Sequence, residues 1–173
     1  MSKLRTANLL GALAGELAGR LDRSGKTHPN ETSTAAAALN VIGFYEGCSN
    51  GALARALGLS HTATVRLVDK LEVLGLVVSE IGTDRRSVAL SLTEAGRERA
   101  RTIVRTRCLM LGELVGRLTP EQCQQLDAIA ETLLRSMVDA AADADHICRL
   151  CDDEACPPDR CPVHQKAAAI EVA

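Results

Sequence analysis

Between Ala52 and Gly96 the sequence is punctuated so densely that few topologies can accommodate it. A short helical run, Ala52 to Leu57, is stopped by Gly58, and Ser60 is placed to cap a second helix running to Leu74. Gly75 stops that helix. Two runs with strand character follow, Leu76 to Ile81 and Ser87 to Leu92, around the polar tip Gly82-Thr83-Asp84-Arg85-Arg86. Thr93 then caps a long helix, roughly Glu94 to Arg117. Helix, tight turn, helix, hairpin and long helix in that order predict a mainly α fold with a small β-hairpin wing, a winged helix-turn-helix.

The rest of the chain extends the pattern. Leu10, Leu13, Ala14, Leu17 and Leu21 recur at helical spacing and predict an amphipathic helix from about Leu4 to Asp22. Ser24 to Ser33, with Gly25 and Pro29, reads as a loop. Ser33 or Thr34 can cap a helix reaching about Gly47. Thr119 and Pro120 start a last long helix, expected to run to about Asp145. Residues 1–145 are expected to form one domain and 146–173 a cysteine-rich appendage.

Hydrophobic residues make up 46% of the 173, enough for a core and too many for a disordered chain. Phe44 and Tyr45 are the only aromatics, so the core is aliphatic, and stacking platforms for single-stranded nucleic acid are excluded. No apolar run is long enough to span a membrane, and the amphipathic start does not read as a signal peptide; a cytoplasmic location is expected. From Ala52 to Arg105, nine Lys/Arg oppose six Asp/Glu, leaving the middle of the chain mildly basic within a protein of net charge −2. That distribution permits contact with a polyanion.

In the helix-turn-helix, Ala54, Ala56, Gly58 and Leu59 suit a close crossing, and Ala63, Leu67, Leu71 and Leu74 are expected on the inner face of the second helix. Ser60, His61, Thr62, Thr64, Val65, Arg66 and Lys70 are expected on its outer face. Short polar groups, an imidazole and cations can reach base edges and phosphates in a major groove. The bland alternative is two packed helices with a solvated outside. At the hairpin tip, Arg85 or Arg86 can enter a minor groove, with Asp84 holding Arg86 in place; the alternative is a solvated turn.

Asp84-Arg85-Arg86-Ser87-Val88-Ala89-Leu90-Ser91-Leu92-Thr93-Glu94-Ala95-Gly96 resembles the wing-and-helix signature of MarR-type winged-helix transcription regulators. Val65 to Leu71 followed by Gly75-Leu76-Val77 is similar to their recognition helix and its exit. The resemblance covers about Leu4 to Asp145. It implies a homodimer paired through the first and last helices. It also implies double-stranded DNA as partner, with Ser60 to Lys70 in a major groove and Arg86 in the adjacent minor groove. His61 and Thr62 fall at positions that vary in the family and so carry sequence choice. Many members sense small lipophilic ligands near the dimer helices, where Phe44 and Tyr45 would lie, although two aromatics on one helix more often serve packing. Peroxide sensing through a cysteine of the first helix does not carry over, because no Cys precedes Cys48.

The appendage departs from that family. Cys148, Cys151, Cys156 and Cys161 follow the spacing C-x2-C-x4-C-x4-C. Four thiolates so close can close a tetrahedral zinc site. An iron–sulfur cluster, suggested by Cys161-Pro162, and a reversible disulfide built on Cys148-x-x-Cys151 are the alternatives, with inert free thiols as the bland one. His146 and His164 are reserve ligands. The segment has too few apolar residues to fold alone, so metal binding is expected to supply its folding energy. Cys48, Cys108 and Cys123 are expected to be buried structural thiols. Three functions remain open: a DNA-binding regulator responsive to metal, redox state or a small ligand; a zinc-stabilised protein-interaction module; and, weakly, a thiol oxidoreductase. Against the last, the Cys pair does not lie between a strand and a helix, and no phosphate loop or nucleophile triad is present, so no enzymatic activity is expected.

Overall fold

The computed structural model describes residues 2–24, 32–81 and 88–172. They form α1 (Lys3–Ser24), α2 (Ser33–Phe44), α3 (Asn50–Leu57), α4 (His61–Val73), β1 (Val77–Ile81), β2 (Val88–Leu92), α5 (Glu94–Val115), α6 (Pro120–Ser136), α7 (Asp143–Cys148) and α8 (Pro162–Glu171). The mainly helical winged helix-turn-helix is present. Its strands pair antiparallel with Val77 opposite Leu92 and Ile81 opposite Val88. A bridge between Cys48 and Leu90 adds the α2–α3 connection to the base of the wing.

Ser60, Thr93 and Thr119 cap the helices expected of them, whereas α2 is capped by Thr32 rather than Ser33 or Thr34 and ends at Phe44 rather than near Gly47, and α3 starts at Asn50, two residues before Ala52, under a Ser49 cap. The side chains of Thr32, Ser49, Ser60, Thr93 and Thr119 each accept a backbone N–H of the first turn. Thr119 and Gln122 complete a reciprocal capping box, with Pro120 at the first helical position. The core joins Leu39 and Ile42 of α2, Leu53 of α3, Val68 and Leu71 of α4, Val77, Leu90 and Leu92 of the wing and Ala100 of α5. It is aliphatic. Along α2, Ala35 to Ile42 is buried without interruption, so this helix is the central post rather than an amphipathic one.

Gly96 holds the wing to α5. A Cβ there would lie 1.9 Å from the carbonyl oxygen of Leu76, so only glycine admits the approach. Beside it, the Thr93 hydroxyl donates to the Gly75 carbonyl at 2.6 Å while accepting from Gly96 N–H at 3.0 Å. The exit of α4, the hairpin and the start of α5 are thereby tied at one point.

The C-terminal third corrects two expectations. The last long helix ends at Ser136, not near Asp145. The chain turns at 137–142, where the Asp143 carboxylate accepts the N–H groups of Asp139 and Ala140 at 2.9 and 2.7 Å. These bonds hold the Asp143 carboxyl below its usual range and start the separate helix α7, which runs across the expected boundary at 145/146. The segment also has its own small apolar core: Val138, Ala144, Cys161, Val163 and Ala167, with Leu134 of α6 packed against it. Two of its five residues, Val138 and Ala144, lie before residue 146, outside the segment expected to be apolar-poor.

Candidate functional site

The α3–α4 turn is built as a helix-turn-helix requires. Gly58 adopts φ +65°, and two crossed bonds close α3, Gly58 N–H to Arg55 and Leu59 N–H to Ala54. Two residues later Ser60 caps α4, its hydroxyl accepting Ala63 N–H at 3.3 Å.

The α4 register differs by one position from expectation. Thr64 is 0% exposed, its hydroxyl donating to the Ser60 carbonyl at 3.1 Å, so it belongs to the inner face and is withdrawn from the outer one. With it, Val68 and Leu71 are buried and Leu67 packs in part, whereas Ala63 is exposed and Leu74 is 57% exposed. The threonine was misassigned because a hydroxyl that bonds back to the preceding turn needs no solvent. Outward stand Ser60, His61, Thr62, Arg66, Asp69 and Lys70, with Val65 half-buried. Thr62, Arg66 and Lys70 succeed one another at a spacing of four and share one face. The expected wing residues Asp84, Arg85 and Arg86 lie outside the described residues.

The second cluster is the thiols. Cys148, Cys151, Cys156 and Cys161 line one cavity of about 230 Å³, together with Phe44, Tyr45, Asp145 and His164. Cys148 Sγ and Cys161 Sγ are 3.9 Å apart. Cys148 donates to Cys151, which holds the Cys148 proton on and draws the Cys151 thiol down. Burial, then the neighbouring Cys161, pushes Cys156 up to about 11. Among the described residues, no three His, Cys, Asp or Glu side chains stand already arranged around a metal position. Of the reserve ligands, His146 is otherwise engaged: its Nδ1 is 3.0 Å from the Ala56 carbonyl oxygen, over the α3–α4 turn. Cys108 is exposed rather than buried, its thiol directed to Asp152 at 3.8 Å, and Cys48 and Cys123 are half-buried.

Asn40 is a site residue not expected from the sequence pattern. It is 8% exposed in an apolar helix, and its amide donates to the carbonyls of Arg149 and Cys151 at 3.1 and 3.2 Å. A lone Asn in a run of Ala, Leu and Val is the signal that was available. Nearby, the Tyr45 hydroxyl donates to Asp145 at 2.8 Å. Burial, then this bond, pushes the Tyr45 phenol up to about 12. Phe44 also lines a second, wider cavity of about 950 Å³ between α2, α5 and the Cys151–Glu154 segment.

The architecture defines a winged helix-turn-helix of the type found in transcription regulators. Residues 32–87 match the model of the MarR family. Similar solved structures include FabT of Streptococcus pneumoniae in complex with DNA, 17% identical with a TM-score of 0.72, over 80% of this chain and 99% of that one. MepR of Staphylococcus aureus, a transcription regulator of the multidrug efflux pump MepA, is 20% identical with a TM-score of 0.66, over 76% and 97% of the two chains. YusO of Bacillus subtilis is 22% identical with a TM-score of 0.65, over 77% and 97%. At these identities the likeness is one of fold. No helix among the described residues is long and apolar enough to cross a membrane.

Proposed function

We propose that the chain is a sequence-specific regulator of transcription that binds double-stranded DNA as a homodimer in the cytoplasm and has no enzymatic activity. The observation that carries this reading is the split of α4: Thr64, Val68 and Leu71 are buried, and His61, Thr62, Arg66 and Lys70 stand free of the core at the start of the second helix of a helix-turn-helix. FabT, of the same fold, was solved in complex with DNA. Arg66 and Lys70 contact phosphates, His61 and Thr62 reach base edges, and Arg86 enters the minor groove.

Dimerisation uses exposed leucines of α1 and the apolar face of α6. Leu9, Leu10 and Leu13 on the first, and Leu126 and Ile129 on the second, are all exposed in the single chain. The wide cavity beside Phe44 takes a small effector.

The test is operator binding across a salt series. Arg66→Ala lowers affinity and flattens the salt slope by about one unit for the lost phosphate contact. His61→Ala changes the sequence recovered in a binding-site selection. Unchanged affinity, slope and selected sequence in the two variants would remove this docking mode. A monomer by light scattering, with DNA binding intact, would remove the dimer.

A further inference from the structure

We propose that Cys148, Cys151, Cys156 and Cys161 bind one zinc ion as thiolates, and that the metal clamps the C-terminal segment onto α2 and α3. All four cysteines line the same small cavity. Each of the last three follows a tight turn that brings the chain back to it. Cys151 N–H donates to the Cys148 carbonyl at 2.8 Å, Cys156 N–H to Asp152 at 3.0 Å and Cys161 N–H to Pro157 at 2.9 Å.

The separation of Cys148 and Cys161 points to the metal. Zinc–sulfur bonds of about 2.3 Å in a tetrahedron set neighbouring sulfurs about 3.8 Å apart. The observed 3.9 Å, a thiol–thiol contact, is close to that edge. A disulfide would need the two sulfurs to close to about 2.05 Å and an oxidant to take up two electrons. A four-iron cluster binds each thiolate to a different iron and so needs its ligands further apart, whereas two thiolates on one iron would be spaced as on zinc, and colour tells those two apart. Loading zinc requires Cys151 and Cys156 to turn toward the pair already in place. Four thiol protons leave to solvent and no electrons move. Arg107 and Arg149, both near Cys151, face the net negative charge of the loaded site.

The clamp follows from what the ligand-bearing chain touches. The Cys151 carbonyl accepts from Asn40 of α2, and His146, two residues before Cys148, meets the Ala56 carbonyl of α3. Metal therefore acts on the helix-turn-helix by direct contact, in addition to the packing of Leu134 of α6 against the same segment.

The full-length chain, purified without chelator, should carry about one zinc per chain. Exchange with cobalt(II) should give the intense visible bands of a tetrahedral thiolate site. Cys156→Ser and Cys161→Ser should each lower bound zinc to below about a tenth per chain and abolish those bands, whereas Cys123→Ser, on α6, should keep both. Cys156 is exposed, so its variant keeps the test valid if loss of the buried Cys161 prevents folding. Chelation should speed amide exchange in 143–151 at least tenfold, with β1 unchanged. Metal-free protein with four titratable thiols, a Cys148–Cys161 disulfide in protein prepared anaerobically, or a coloured iron cluster would overturn the site. Bound zinc whose removal leaves exchange in 143–151 unchanged would overturn the clamp.

Discussion

Replacing Asn40 by Leu tests whether the C-terminal segment is a structural part of the winged helix. The two side chains share a branched shape of four heavy atoms and Leu is the bulkier, so the change removes polar contacts without opening a cavity. Two hydrogen bonds disappear, those to Arg149 and Cys151, and their carbonyls lose a partner. Each such bond is worth about 1 kcal/mol net, and a carbonyl left without water costs about 1–3 kcal/mol. Arg149 and Cys151 are only half-buried, so water can reach part of the site, which favours the low end. The added apolar burial offsets a fraction. A loss of about 2 kcal/mol follows, which for a chain of this size lowers Tm by roughly 4–8 °C. In urea, with a slope of about 1–3 kcal/mol per molar, the midpoint should fall by roughly 1 M at unchanged slope. Wild type and variant must be compared at one protein concentration, because dimer formation is linked to stability. An unchanged midpoint would show that the contacts between α2 and the C-terminal segment contribute nothing, and the reasoning would fail.

Gly96→Ala should destabilise the fold by about 2 kcal/mol or more, because the new methyl group meets backbone rather than a side chain that can turn away; a melting temperature within a degree of wild type would refute this. Thr119→Ala should cost about 1 kcal/mol by dissolving the capping box of α6, seen as a shift of the denaturation midpoint. Tyr45 is the only tyrosine and there is no tryptophan, so near-ultraviolet absorbance titrates it alone; ionisation should centre near pH 12 in the folded chain, and Asp145→Asn should move it down. Because folding raises this pKa above the ordinary value near 10, the native state holds the proton more tightly; the linked stability is fully present below about pH 10 and is lost as pH rises through about 12.

Local chemistry determined the elements of this protein. Hydroxyl residues at 60, 93 and 119 and glycines at 58 and 75 fix where helices start and stop, because capping and left-handed turns depend on one or two residues and not on what packs around them. The order of those elements was enough to read a winged helix and to place Ser60, His61, Thr62, Arg66 and Lys70 at the start of its second helix. What faces inward was less legible. Thr64 looks like a polar surface residue by type, yet its hydroxyl is satisfied by the turn before it and its side chain is buried, a choice made by the packing of α4 against α3 and β1. The end of α6 at Ser136 was hidden too, since Met137 to Ala142 continues the helical composition and only the carboxylate of Asp143, capturing two backbone N–H groups, turns the chain. The four cysteines were visible as a group. That they close on one cavity, and that Asn40, His146 and Tyr45 tie the segment bearing them to α2 and α3, was decided by contacts between residues about a hundred positions apart, which no local pattern encodes.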